Sequence, residues 1–227
     1  MSEMNRQQER TANNLANANT VGFRRDRTFT EALRNRVDEE GNPTSVRTLT
    51  QWADPVEGTL EATGNPLDVA LEGEGFFVVT DDAGATRYTR AGRFAPAADG
   101  TLVTPEGFTV QGTDGPLQIP GEGGEIAINR DGEIRVDGRA VGTLRTVTFP
   151  PDAPLERLDA ASFVTNAEPE ALAVPAVLQG SVEMSNVNPL TEMSEMITHF
   201  RLFESQQKMI QTTDQALGAV SRDLGKF

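Results

Sequence analysis

The hydrophobic period changes twice along this 227-residue chain, and those changes limit the folds open to it. From about residue 46 to 182, apolar side chains recur at every second position in runs such as "LDVALEG", "GFFVVT", "ATRYTRAG", "EIAIN" and "EIRVDG". That is the alternation of half-buried strands. Asp99-Gly100, Asp131-Gly132 and Asp137-Gly138 lie between or beside the runs, where glycine accepts the positive φ that a tight hairpin needs. "DGTLVTPEG" and "DGEIRVDG" are similar enough to suggest one hairpin design used twice.

After "SNVNPLTEM" the period becomes seven. Met196, Phe203, Ile210, Leu217 and Leu224 recur in register, with Met193 and Phe200 three or four residues away. This is the spacing of a coiled-coil seam. Asn188 is placed to cap the helix, Pro189 suits its first turn, and Glu192 lies near the positive end of its dipole. The companion positions Gln207, Asp214 and Ser221 are polar, so the later seam expects a partner of mixed polarity.

At the other end, Met1, Met4, Thr11, Leu15 and Ala18 follow three-and-four spacing, interrupted by Gln8, which gives one narrow helical stripe. The Asn-rich stretch "NNLANANTVGF" then stops the helix, because short amides compete for nearby backbone groups and favour helix ends. The expected architecture is a mainly β middle domain flanked by N- and C-terminal α-helices that pair in a coiled-coil-like manner. Its parts are a helix and Asn-rich stop over 1–22, a weakly helical linker over 23–45, a β-rich domain over 46–182 and a C-terminal helix over 183–227.

Several chemistries are closed to this composition. There are no cysteines and only one histidine, His199, which excludes thiol catalysis, cysteine metal sites and multi-histidine metal centres. The net charge of −14 is concentrated between residues 37 and 187, where nine basic side chains face twenty-five acidic ones. An anionic middle of this kind argues against nucleic-acid binding. No run of about 20 apolar residues is present to span a bilayer, and the N-terminus lacks the pattern of a cleaved signal peptide. "EGEGFF" lacks the third glycine of a dinucleotide loop, and "NRDGEIRVDG" lacks the ligand pattern of a calcium loop. No catalytic, cofactor or metal residue is assigned.

Four stretches carry a resemblance: "ANNLANANTVGFRRD", "TGNPLDVALEGEGFFVV" followed by "YTRAGRF", "DGTLVTPEGF", and "SNVNPLTEMSEMI". In order and content the chain resembles the flagellar rod and hook family. Within it, Pro189 after "NVN", and the lack of a "QRAYE" pattern, are more similar to the F-type proximal rod proteins than to the G-type distal ones. Family members carry further residues ahead of the position of Met4, so the first helix here is expected to be shorter than theirs.

The resemblance implies a non-enzymatic structural subunit of the bacterial flagellar basal-body rod. It implies type III flagellar export without a cleaved signal, a place in the periplasmic span, and self and neighbouring rod proteins as partners. It also implies helical assembly through the terminal helices, which form an inner layer inside an outer β layer. The residues expected to carry assembly are Met4, Thr11, Asn13, Asn14, Leu15 and Asn17 from the first helix and its stop. From the C-terminal helix they are Met193, Met196, Phe200, Phe203, Ile210, Leu217 and Leu224. Two other readings stay open. One is a carbohydrate-binding or carbohydrate-cleaving β domain, using Trp52 or Tyr88 with paired acids such as Glu39-Glu40 or Asp81-Asp82. The other is a hook or hook-junction axial protein.

Overall fold

The computed structural model describes residues 2–30, 35–37, 43–45, 49–54, 56–120, 124–150, 153, 155–172 and 175–224. Side-chain surroundings are described within 6–27, 54, 56–120, 124–150, 153, 155–172 and 175–215. The chain forms two compact units, one of Met1–Ala16 with Asn188–Phe227, the other of Asn17–Val187.

The first unit is helical. Helix α1 is Ser2–Ala16 and helix α2 is Pro189–Leu224. Asn188 begins α2 as its sequence position suggests: its Oδ1 accepts the N–H groups of Leu190 at 3.0 Å and Thr191 at 3.3 Å, two donors the helix itself leaves open. Asn14 meets Glu192 and Arg10 meets Glu195, so α2 advances as α1 retreats and the two are antiparallel. At ~1.5 Å per residue α2 is ~54 Å long and α1 ~22 Å. Much of α2 therefore lies beyond the reach of α1.

The second unit is β-rich, and strand Phe76–Thr80 is its centre. It pairs antiparallel with Thr86–Thr89 and Thr109–Gly112, and its start pairs with Thr146–Thr148. Alternation along this strand feeds two cores. Phe77 and Val79 point into one with Val69, Leu102, Val110 and Ile134, while Phe76 and Val78 point into the other with Tyr88, Val147 and Phe163. A strand buried on both faces reads as the unbroken apolar run "GFFVV".

One turn recurs in four hairpins. In each, the N–H of the first residue donates to the carbonyl four residues on, and a glycine three residues on donates back. The pairs are Asp81 with Ala85, Ala97 with Thr101, Thr104 with Phe108, and Asn129 with Glu133. The glycines are Gly84, Gly100, Gly107 and Gly132, with φ of 81°, 83°, 92° and 84°. This is the three-to-five-residue hairpin loop that ends in a left-handed glycine. The two similar stretches share it at their first turns. They differ at their second ends, where Asp137 and Gly138 both have positive φ, 49° and 75°, as a two-residue hairpin turn requires.

Within 23–45 the described residues form strands where a weakly helical linker was expected. Asp26–Thr30 pairs antiparallel with Leu49–Ala53, and Asn35–Val37 with Pro43–Ser45. "DRTFT" explains the first pairing, since Thr and Phe suit a pleated surface better than a helix. An edge is also closed in an unexpected way. The Gln179 side chain accepts the Ile128 N–H at 3.1 Å and donates to the Ile126 carbonyl at 2.8 Å, so an amide occupies backbone groups that an exposed edge would leave free.

Candidate assembly surface

The links between α1 and α2 are polar. Asn14 donates Nδ2–H to Glu192 Oε2 at 3.3 Å, and Arg10 lies 4.0 Å from Glu195. Thr11, Asn14 and Glu192 are buried. Gln7 and Arg10 share a hollow of about 450 Å³ with Thr191, Ser194, Glu195, Thr198 and His199. Positions 7, 10, 11 and 14 are one helical face, which overlaps the apolar stripe of α1 at Thr11.

The large apolar side chains of α2 lie mostly elsewhere. Leu190, Met193, Ile197 and Phe200 are exposed, and their three-and-four spacing places them on one face. Leu202 and Met209, seven apart, are exposed on a second line. Met196 and Phe203 are half-buried, and Ile210 on the same line is exposed. The first-helix candidates divide as well: Thr11 and Asn14 are buried, Leu15 and Asn17 half-buried, and Asn13 exposed. Side chains of Met4, Leu217 and Leu224 lie outside the described residues. The stop after α1 is local, with the Thr20 N–H and hydroxyl donating to the Asn17 carbonyl and side-chain oxygen, each at 3.1 Å.

Sequence reasoning missed a buried charge cluster in the β-rich unit. Glu183, Arg90 and Arg24 are 1%, 1% and 6% exposed. Glu183 Oε1 accepts the Gly58 N–H at 3.1 Å and lies 3.4 Å from Arg24, while Oε2 lies 3.4 Å from Arg90. Arg90 also donates to the carbonyls of Leu71 and Gly73. Burial pulls the Arg90 guanidinium down to about 10 against the opposing pull of Glu183, so it is still a cation at neutral pH. Nearby, Arg157 lies between the rings of Phe23 and Phe163, 4.4 and 5.0 Å from their centroids. It donates to Asp26 at 3.0 Å; burial lowers its pKa while Asp26 opposes.

The cluster joins three of the stretches singled out in the sequence. "VGFRRD" supplies Gly22, Arg24 and Asp26, "YTRAGRF" supplies Arg90, and Glu183 immediately precedes "MSNVNPL". Asn186 adds a further link: its Oδ1 accepts the Arg25 N–H at 2.6 Å and its Nδ2 donates to the Val56 carbonyl at 2.7 Å.

The features proposed for sugar chemistry are used structurally. Tyr88 is buried, with its ring edge-on to Phe149 at 4.8 Å. Asp81 Oδ1 accepts the N–H groups of Ala83 and Ala85, and Oδ2 pairs with Arg87 at 2.9 Å. Neither lines the hollow of about 1250 Å³ beside Asp99, Gln118, Asp137 and Arg139. Glu39 and Glu40 and the Trp52 side chain lie outside the described residues.

Comparison with known proteins covers the same regions. Residues 1–24 match the family model described as flagella basal body rod protein, residues 70–136 the flagellar hook protein FlgE/F/G D1 domain, and residues 178–223 the flagellar basal body rod FlgEFG protein C-terminal. The chain is 37% identical to the flagellar basal-body rod protein FlgF of Salmonella typhimurium, over 95% of this chain and 91% of that one. It is 34% identical to FlgF of Rhizobium meliloti, over 94% and 90%. It is 32% identical to the rod protein FlgG of Caulobacter vibrioides, over 93% and 91%.

Proposed function

The chain belongs to the flagellar basal-body rod protein family, and from that premise we infer that it is a structural subunit of the rod that assembles with other rod subunits through its terminal helices. The observation that carries this reading is the uncovered apolar face of α2 formed by Leu190, Met193, Ile197 and Phe200, with Leu202, Met209 and Ile210 exposed on further lines of the same helix. Contiguous apolar surface of this kind marks an interaction face. Burying it against neighbouring subunits, with coiled-coil-like packing along Met196, Phe203, Ile210, Leu217 and Leu224, contributes the assembly energy. Met4, Thr11, Asn13, Asn14, Leu15 and Asn17 contribute from the first helix and its stop. Head-to-tail contacts that do not close build a helical array rather than a ring.

In this reading 1–22 and 183–227 form the inner layer, 46–182 the outer layer and 23–45 the link between them. The subunit passes torque from motor to hook without catalysing a reaction. It reaches the periplasmic span through the type III flagellar export apparatus with no cleaved signal peptide, and a chain free of cysteine suits passage in an unfolded state. The F type is favoured over the G type by Pro189 after "NVN". No helix among the described residues is long and apolar enough to cross a membrane.

The test is mass spectrometry of purified hook-basal bodies from wild type and from a strain lacking the gene. Stoichiometric peptides and a rod that stops short of the hook without them are expected. An intact rod containing none of the chain would overturn the assignment, and peptides confined to the hook would move it to the hook or hook-junction proteins.

A further inference from the structure

The sulfur of this chain is unevenly placed. With no cysteine present, its six methionines hold all of it, and four of them fall between Met184 and Met209. Met193 and Met209 on α2 are 48% and 66% exposed, whereas Met196 and Met184 are half-buried. Thioether oxidation follows exposure, and no thiol in the chain competes for the oxidant. Met193 shares its face with Leu190, Ile197 and Phe200, so its polarity bears on that face directly.

We propose that Met193 and Met209 are peroxide-oxidation sites whose sulfoxides make α2 unfit to pack against a neighbouring subunit. The second half of this inference rests on the rod reading above; the first does not. The thioether sulfur attacks one peroxide oxygen, the O–O bond breaks, an S–O bond forms, and the released hydroxide takes the remaining peroxide proton and leaves as water. Sulfur is oxidised by two electrons and hydrogen peroxide is reduced. The product is a polar, chiral side chain in place of a flexible apolar one. A free subunit is therefore vulnerable where a packed one is shielded.

Hydrogen peroxide is added to the purified full chain, and peptide mapping follows the gain of one oxygen at each methionine. Met209 and Met193 are expected to convert several-fold faster than Met184; equal rates would overturn the site. In cells, the fractional loss of motility caused by peroxide during rod growth, each strain measured against its own untreated culture, should be several-fold smaller for M193L/M209L than for wild type. M193Q/M209Q, which mimics the polar product, should lose motility without peroxide. If wild type and the leucine variant respond alike, or the glutamine variant swims normally, the proposed consequence for packing is wrong. Selective oxidation combined with a motile glutamine variant would locate the failure in the seam reading rather than in the site.

Discussion

The Gly22 N–H donates to the Glu183 carbonyl at 2.7 Å, joining residues 161 positions apart at the two sequence borders of the β-rich unit. Gly22 has φ of 71°, and a Cβ there would stand 2.2 Å from the Ala91 nitrogen. Both strain and collision forbid a side chain. Gly22→Ala should destabilise the protein by roughly 1–3 kcal/mol or more. Urea unfolding followed by near-ultraviolet circular dichroism checks this, and an unchanged midpoint would contradict the close packing.

Glu183 is the anion between two buried guanidinium groups. Glu183→Gln keeps the shape and removes the charge, leaving Arg24 and Arg90 without it. Loss of one member of a buried pair typically costs about 3–5 kcal/mol. The variant should unfold at much lower denaturant, with amide exchange rising first at residues 22–26 and 56–62. A loss under ~1 kcal/mol would show that water already solvates the cluster.

Asn188→Ala removes the acceptor for the Leu190 and Thr191 N–H groups. A loss of about 1 kcal/mol is expected, confined to the start of α2. Nuclear magnetic resonance should show faster amide exchange at residues 190–192 and unchanged shifts in the strands. Changes spread through the β-rich unit would mean that the cap does more than begin the helix.

Two turn carboxylates set an acid limit. The Arg87 side-chain hydrogen bond, helped by the Ala85 N–H, holds Asp81 below the usual 3.8, and the Thr101 N–H does the same for Asp99. Because their folded pKa values are depressed, their stabilisation is present above the unfolded value and is lost as pH falls through the folded one. Carboxyl carbon titration should give midpoints below 3.8 for both. Arg87→Ala should return Asp81 towards the ordinary value and leave Asp99 unmoved.

The legible parts of the fold were those set by local pattern. A short apolar run exposed the strand Phe76–Thr80, and Asp99-Gly100 and Asp131-Gly132 marked two turns of one design, because a left-handed glycine leaves a sequence trace. Asn188 and Pro189 marked the start of α2 for the same reason. The Glu183 cluster was not legible, since its three charged members are far apart in sequence and only the fold brings them together. The helix pairing rests on different signals. Apolar spacing marked stripes on α1 and α2, whereas the described links between the two helices use Asn14, Glu192, Arg10 and Glu195, whose polarity carried no periodic signal.

The central claim is that the apolar face of α2 is buried against another rod subunit. A photo-crosslinking amino acid placed at Phe200, with a control at the exposed turn residue Gly84, tests it in intact basal bodies. The account predicts an adduct between Phe200 and a second rod-family chain, identified by mass spectrometry, and none from Gly84 to the same partner. Adducts from Phe200 that stay within its own chain would contradict it.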